Sequence, residues 1–280
     1  MKFDKVNIGK VIIVGAGPGD PELITIKASR WLQKADVVLS DRLVSNEILQ
    51  QYVPSTTELI YVGKQCRSGF STLQETINEL LVRFASQGKT VVRLKGGDVS
   101  IFSNILDELE TLVLHNIPYE IVPGVTAALG AAAYAGIPVT ARNYATAVRF
   151  LTCYQSDLLT DDYWKELAST DDTLIFYMSS ETLDTIVANL VKNNIAPEKL
   201  LALVEQATTP FQKVYISSLY EYATTIKGHR FISPTVVIVG KVVSLHEQFG
   251  WVDNSKAPEF YFKPIAEIKP ITTKKIALSA

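Results

Sequence analysis

The stretch Val11-Ile12-Ile13-Val14-Gly15-Ala16-Gly17-Pro18-Gly19-Asp20-Pro21 decides the fold. Four consecutive β-branched residues run into a glycine-rich corner. That is the pattern of a buried strand whose carboxyl end meets a loop that a ligand can approach closely. A dinucleotide fingerprint, G-x-G-x-x-G, needs its third glycine where a helix opens to receive a pyrophosphate. Here Gly19 comes one residue early, Asp20 occupies the required place, and Pro18 and Pro21 stand beside it. A carboxylate facing a pyrophosphate would repel it. The loop therefore suits a small ligand without phosphates, including one that carries positive charge. A plain tight turn is the other reading of this stretch alone.

Outward from this corner, strand-like and helix-like segments alternate. Helix Leu23–Ala35 is expected next, apolar at Leu23, Ile26, Ala28 and Leu32. Strands are expected at Asp36–Ser40, Glu58–Val62, Thr90–Leu94 and Tyr119–Val122, with a short helix at Asn46–Tyr52. Ser71 and Gln74 make a capping box for a helix with Leu73, Ile77, Leu80, Leu81 and Phe84 on one face. Another helix is expected from Ser100, with Ile101, Ile105, Leu109 and Leu112 as its stripe, and a small-residue helix at Ala127–Ala135. This alternation predicts an α/β domain with a mostly parallel sheet covered on both faces. Ligands bind such sheets at the carboxyl ends of strands. The unusual residues all fall there: Gly15–Asp20, Asp41-Arg42, Gly63-Lys64, Gly96-Gly97-Asp98 and Pro123–Thr126.

Gly136-Ile137-Pro138-Val139-Thr140 reads as a domain boundary, giving an N-terminal domain over 1–136 and a second over 137–252. The second half predicts a mixed α+β sheet. Its strands are Val148–Cys153, Thr173–Met178, an antiparallel pair Leu200–Val204 and Lys213–Ile216, and Pro234–Val239 running on into Gly240–Leu245. Helices are expected at Glu181–Lys192 and Tyr220–Ile226. The tail over 253–280 shows no periodicity and is expected to be extended or disordered.

Composition narrows the function classes. The chain has 280 residues, 47% hydrophobic and 20% charged, with a net charge of −2. That balance gives no electrostatic case for nucleic acid or an anionic membrane. Cys66 and Cys153 are too few for a disulfide scaffold or a zinc site, and His115, His229 and His246 show no metal-ligand spacing. The N-terminus lacks an apolar signal-like run, and the most apolar window, Thr126 to Val139, is shorter than the ~18–20 residues a membrane span needs. A cytoplasmic protein without a metal is the expectation.

Six motifs occur in order: Val14–Pro21, Asp41-Arg42-Leu43-Val44, Val62-Gly63-Lys64, Val91–Asp98, Val122–Thr126 and Gly136–Thr140. With Phe176-Tyr177-Met178, Leu203–Thr208 and the strand from Ser233 to Val243, they resemble the uroporphyrinogen-III-methylating branch of the tetrapyrrole methylase family, over about residues 9–252. The resemblance implies a two-domain fold with a ligand cleft between the domains, a homodimer, and S-adenosylmethionine as methyl donor, leaving S-adenosylhomocysteine. It implies methylation of two ring carbons of uroporphyrinogen III, giving precorrin-2 for sirohaem or cobalamin. By motif position, the cofactor residues would be Pro18, Gly96, Gly97, Asp98, Ile101, Thr126, Ala127, Met178 and Ala207. Asp41 matches the proton acceptor and Lys64 the proton donor. The substrate is an octacarboxylate, so Arg42, Arg142 and Arg149 are candidate partners for it, and Asp98 is a candidate partner for the donor's charged groups.

Two stretches depart from the family pattern. Gly-Gly-Asp is usually followed by proline, an aromatic residue and, shortly after, a Gly-Arg-Gly-Gly-Glu-Glu run. Here the sequence is Val99-Ser100-Ile101-Phe102-Ser103-Asn104-Ile105-Leu106-Asp107-Glu108, and the usual Thr-His-Arg is Thr140-Ala141-Arg142. A methylase of the same fold acting on another corrinoid or a non-tetrapyrrole substrate is the alternative these changes keep open. An NAD(P)-dependent oxidoreductase is the alternative from a different class.

Overall fold

In the computed structural model, which describes residues 8–63, 74–153, 159–252 and 259–262, the opening stretch forms strand β1 (Lys10–Gly15). Val11, Ile12, Ile13 and Val14 are all fully buried. The chain continues through α1 (Ile26–Leu32), β2 (Val37–Ser40), α2 (Asn46–Tyr52), β3 (Glu58–Tyr61), α3 (Gln74–Ser86), β4 (Thr90–Lys95), α4 (Leu106–Leu114) and β5 (Tyr119–Val122). The five strands form a sheet in the order β3-β2-β4-β1-β5, and every pairing is parallel. Alternate side chains of β1 and β4 serve opposite faces. Ile12, Val14, Val92 and Leu94 pack with Ala28 and Leu32 of α1 and Ile48 and Leu49 of α2. Val11, Ile13 and Val91 pack with Ile77 and Leu81 of α3 and Leu112 of α4. A parallel sheet buried on both faces is the expected outcome of such strands.

The second sheet is mixed. The elements are α5 (Ala127–Tyr134), β6 (Val148–Thr152), α6 (Asp161–Ser169), β7 (Thr173–Tyr177), α7 (Leu183–Lys192), β8 (Leu200–Glu205), β9 (Lys213–Ser218), α8 (Tyr222–Thr225), β10 (Thr235–Gly240) and α9 (His246–Phe249). Strand order is β6-β7-β10-β8-β9. β6 and β7 are parallel, and β10 lies antiparallel between β7 and β8. The expected β8–β9 antiparallel pair is present.

Three expectations are corrected, and one further helix is found. The first helix starts at Ile26, not Leu23, because Thr25 Oγ1 accepts the Ala28 N–H and opens the helix there. Residues Pro21–Leu23 are a separate 3-10 turn, and Ile26 is exposed. The helix expected from Ser100 begins only at Leu106, because Phe102 (φ 50°) and Asn104 (φ 54°) are left-handed and cannot continue a helix. The apolar run after Gly240 coils into a 3-10 turn, Lys241–Leu245, which buries Val242 and Val243 against Ile175, Ala202 and Ile238. Helix α6 was not expected. Its signals are local: Thr160 caps it, Asp161 and Asp162 fill its first turn, and Trp164, Leu167 and Ala168 are buried.

By contact grouping, the chain up to Ala16 goes with Ile24–Gly124, and Gly17–Leu23 goes with Val125–Tyr261. The division thus falls at Gly124–Val125, ahead of the Gly136–Thr140 boundary expected from the sequence. Most of the tail lies outside the described residues. Its described segment is anchored: Gln206 Nε2 donates to the Glu259 carbonyl at 2.8 Å and Gln206 Oε1 accepts the Tyr261 N–H at 2.8 Å.

Candidate functional site

In the first unit the carboxyl ends of β1, β2, β4 and β5 meet backbone to backbone. A Cβ on Gly15 would lie 2.6 Å from Gly124 N and 2.7 Å from the Gly97 carbonyl oxygen. A Cβ on Gly96 would lie 2.8 Å from the Leu43 carbonyl oxygen. Only glycine permits this approach, so four of the sequence motifs share one packed corner. Asp98 staples it. Its Oδ1 accepts the Ser100 N–H at 2.8 Å and the Ser100 hydroxyl at 2.5 Å, and its Oδ2 accepts the Gly124 N–H at 3.0 Å. Burial pushes the Asp98 pKa up, but the Ser100 and Gly124 hydrogen bonds outweigh it and hold the carboxyl below its ordinary value. Both oxygens of Asp98, the candidate partner for the donor's charged groups, also hold the loop in shape. Ile101, which follows, is half-buried.

Asp41 follows β2, and its Oδ1 accepts from Arg93 Nη2 at 2.6 Å. Arg42 is half-buried beside it. Burial pushes the Arg42 pKa below its ordinary value, against the opposing charge of Asp41. Lys64, the expected proton donor, lies outside the described residues, as does the Ser71 cap.

In the second unit Pro18 packs on α5. A Cβ on Gly130 would lie 2.6 Å from Pro18 Cγ and 3.0 Å from Thr208 Cγ2, which accounts for the glycine at that place in the helix. Asp20 is locked by its neighbours: its Oδ1 accepts the Glu22 N–H at 2.8 Å and its Oδ2 accepts the Tyr134 hydroxyl at 2.5 Å. Its own N–H donates to Thr208 Oγ1 at 3.1 Å. Tyr177 Oη lies 2.6 Å from Thr126 Oγ1 and accepts the Ala128 N–H at 3.0 Å. It thereby fixes the Thr126-Ala127 turn at the start of α5. Met178 is the next residue; it is 54% exposed and left-handed at φ 53°. Ala207 sits between Gln206 (φ 43°) and Thr208 (φ 65°). Strained non-glycine residues at strand ends are held by surrounding structure and concentrate at functional positions.

Arg142 is exposed in the turn closed by the Ala141–Ala145 bridge. Arg149 is committed within the protein. Its Nε donates to Asp172 at 2.6 Å and its Nη1 to Glu166 at 2.5 Å, so it is not a spare cation for a substrate carboxylate.

The geometry also weighs against a dinucleotide. The glycine loop runs into a 3-10 turn and α1 starts only at Ile26, so the loop does not itself open a helix as a pyrophosphate fingerprint does. Among the described residues there is no cluster of His, Cys, Asp and Glu able to hold a metal, and no helix long and apolar enough to cross a membrane.

The model of one family, described as tetrapyrrole (corrin/porphyrin) methylases, matches residues 10–223. The chain belongs to the tetrapyrrole methylase family. Among curated members, it is 42% identical over 271 residues to the siroheme synthase of Vesicomyosocius okutanii, covering 97% of this chain and 55% of that protein. It is 47% identical over 244 residues to the siroheme synthase of Acinetobacter baylyi, covering 87% of this chain and 53% of that protein. The chain therefore spans about half the length of the curated relatives it matches. The crystal structure of uroporphyrin-III-C-methyltransferase from Thermus thermophilus superposes with a TM-score of 0.72 at 34% identity, covering 89% of this chain and 99% of that one. A second Thermus thermophilus structure, complexed with S-adenyl homocysteine, gives a TM-score of 0.71 at 36% identity, covering 85% and 100%.

Sequence reasoning missed three side-chain groupings at or beside the candidate site. Tyr177 was read as part of a motif and not as the clamp on Thr126. Asp20 was read for its charge and not for its bonds to Tyr134 and Glu22. Arg93, Lys95 and Glu108 form a buried ion cluster. Its available signal was Arg93 and Lys95 placed at i and i+2 in a strand that is otherwise apolar.

Proposed function

We propose that this chain transfers methyl groups from S-adenosylmethionine to two ring carbons of uroporphyrinogen III, the step that gives precorrin-2 on the way to sirohaem. The observation that carries the reading is the glycine corner of Gly15, Gly97 and Gly124, stapled by Asp98, in a member of the tetrapyrrole methylase family. A backbone cradle followed by a 3-10 turn fits a donor without phosphates.

The residues proposed for the cofactor, by motif position, are Pro18, Gly96, Gly97, Asp98, Ile101, Thr126, Ala127, Met178 and Ala207. Bound there, the sulfonium donor supplies an electrophilic methyl group. The chain's own part is positioning, which contributes much of the rate of an in-line displacement. A ring carbon that accepts a methyl leaves positive charge on the macrocycle, and a proton must then depart. Asp41 is the carboxylate proposed to stabilise that charge and take the proton. Lys64 is proposed as the proton donor, and Arg42 and Arg142 as partners of the substrate carboxylates. A homodimer in the cytoplasm is the proposed working form, on the strength of the family resemblance.

The test is to mix the protein with S-adenosylmethionine and enzymatically made uroporphyrinogen III and weigh the product. Gain of two methyl groups is expected. Methylation of a later corrinoid in preference to uroporphyrinogen III would contradict the substrate assignment.

A further inference from the structure

Four charges cluster in the first unit, and three of them are out of water. Side-chain exposure is 3% for Arg93, 5% for Lys95 and 0% for Glu108, against 27% for Asp41. The cluster draws on β2, β4 and α4. Arg93 is fixed on every side: Nε donates to Glu108 Oε1 at 3.0 Å, and Nη1 donates to the carbonyls of Leu39 at 3.3 Å and Leu94 at 3.2 Å. Nη2 donates to Asp41 Oδ1 at 2.6 Å. Lys95 Nζ donates to the same Glu108 oxygen at 3.0 Å.

We propose that Arg93 is the positioning residue for the Asp41 carboxylate, with Glu108 anchoring Arg93 for that task. The inference rests on the reading of Asp41 given above and adds the residues through which Asp41 is aimed.

Three observations support it. First, Glu108 already has a second cation in Lys95, so Arg93 is not required merely to neutralise it. Second, both cations crowd Oε1, while Glu108 Oε2 is buried and, among the described residues, has no hydrogen-bond partner. Stability alone disfavours that arrangement, because an unpaired buried oxygen is costly and an apolar replacement for the pair is often neutral. Third, Asp41 is the one member that reaches the strand-end rim. Arg93 takes its Oδ1, and among the described residues its Oδ2 accepts no hydrogen bond. A planar guanidinium held by Glu108 and two backbone carbonyls presents a fixed Nη2 donor, which draws Oδ1 to one place. The charges are consistent with this assignment. Burial draws the Arg93 pKa down, but Asp41 and Glu108 together hold it above its ordinary value. The Lys95 pKa is pushed down, by burial first and by Arg93 second.

The test is a double-mutant cycle between Arg93→Lys and Asp41→Asn, read as kcat for methyl transfer, KM for S-adenosylmethionine and calorimetric affinity for S-adenosylhomocysteine. Arg93→Lys keeps the cluster neutral but has no fork to span Glu108 and Asp41. In the wild-type background kcat should fall by up to about a hundredfold, the scale of a misplaced catalytic group, with cofactor affinity unchanged. In the Asp41→Asn background the same change should cost nothing further. The shape-preserving Glu108→Gln supplies a second cycle, which carries the test if Arg93→Lys does not fold; it too should slow only the protein that retains Asp41. Multiplicative losses in both cycles, or undiminished kcat in Arg93→Lys, would overturn the inference alone. Wild-type protein that makes no dimethylated product would overturn the functional reading and the inference with it.

Discussion

Tyr177 Oη lies 2.6 Å from Thr126 Oγ1 and also receives the Ala128 N–H. One hydroxyl at the end of β7 thus holds the first turn of α5, where the proposed cofactor residues Thr126 and Ala127 sit. Tyr177→Phe removes both bonds. We expect a loss of about 1–3 kcal/mol in urea denaturation, with weaker binding of S-adenosylhomocysteine. Unchanged cofactor affinity would separate this clamp from the binding function.

Tyr134 ties α5 to Asp20, and its pKa is pushed up to about 12, by burial first and by Asp20 second. The unfolded value is about 10. A raised folded pKa contributes stability that is fully present below the unfolded value and is lost as pH rises through the folded one. Against Tyr134→Phe, the wild type should hold a constant advantage up to about pH 10, and the gap should close towards pH 12. Denaturation at a series of alkaline pH values measures it. A gap that persists above that range would show that the hydroxyl is not the cause.

The glycines should differ in cost. Gly15→Ala places a methyl 2.6 Å from Gly124 N and 2.7 Å from the Gly97 oxygen, where only backbone can yield. A loss of about 3 kcal/mol or more is expected. Gly17→Ala meets nothing nearer than 3.3 Å, but it forces φ +83° on an alanine. About 1 kcal/mol is the expected loss there. Thermal and urea denaturation of the two variants should rank them in that order.

Removal of everything after Val252 strips Gln206 of its bonds to Glu259 and Tyr261 and removes the buried Phe262. Gln206 is 1% exposed with that segment in place, so the truncation also uncovers its side chain. We expect a stability loss of about 3 kcal/mol, combining two lost hydrogen bonds with a lost phenyl burial. Equal stability of the two lengths would mean that this segment does not hold the fold.

The parallel sheet and its rim were legible because β1 and β2 carry unbroken apolar runs and β1 and β4 run into glycines, and period and punctuation are local signals. The mixed second sheet was legible for the same reason, down to the β8–β9 pairing. The late start of α4 was not, since left-handed Phe102 and Asn104 break the stripe without any glycine or proline to mark it. Nor was the apolar run Lys241–Leu245, where strand and turn look alike until the neighbouring sheet supplies a surface to cover. Among site residues, the glycine motifs declared themselves, because backbone approach leaves a mark in composition. The commitment of Asp98 to Ser100 and Gly124, and of Arg149 to Asp172 and Glu166, depends on partners brought together only by folding.

The most direct measurement is the mass of the tetrapyrrole after incubation with S-adenosylmethionine, for the wild type and for Asp41→Asn. The account predicts uroporphyrinogen III heavier by two methyl groups with the wild type, and a rate about a hundredfold lower or more with Asp41→Asn. Unmodified uroporphyrinogen III with the wild type, or full activity in the variant, would contradict it.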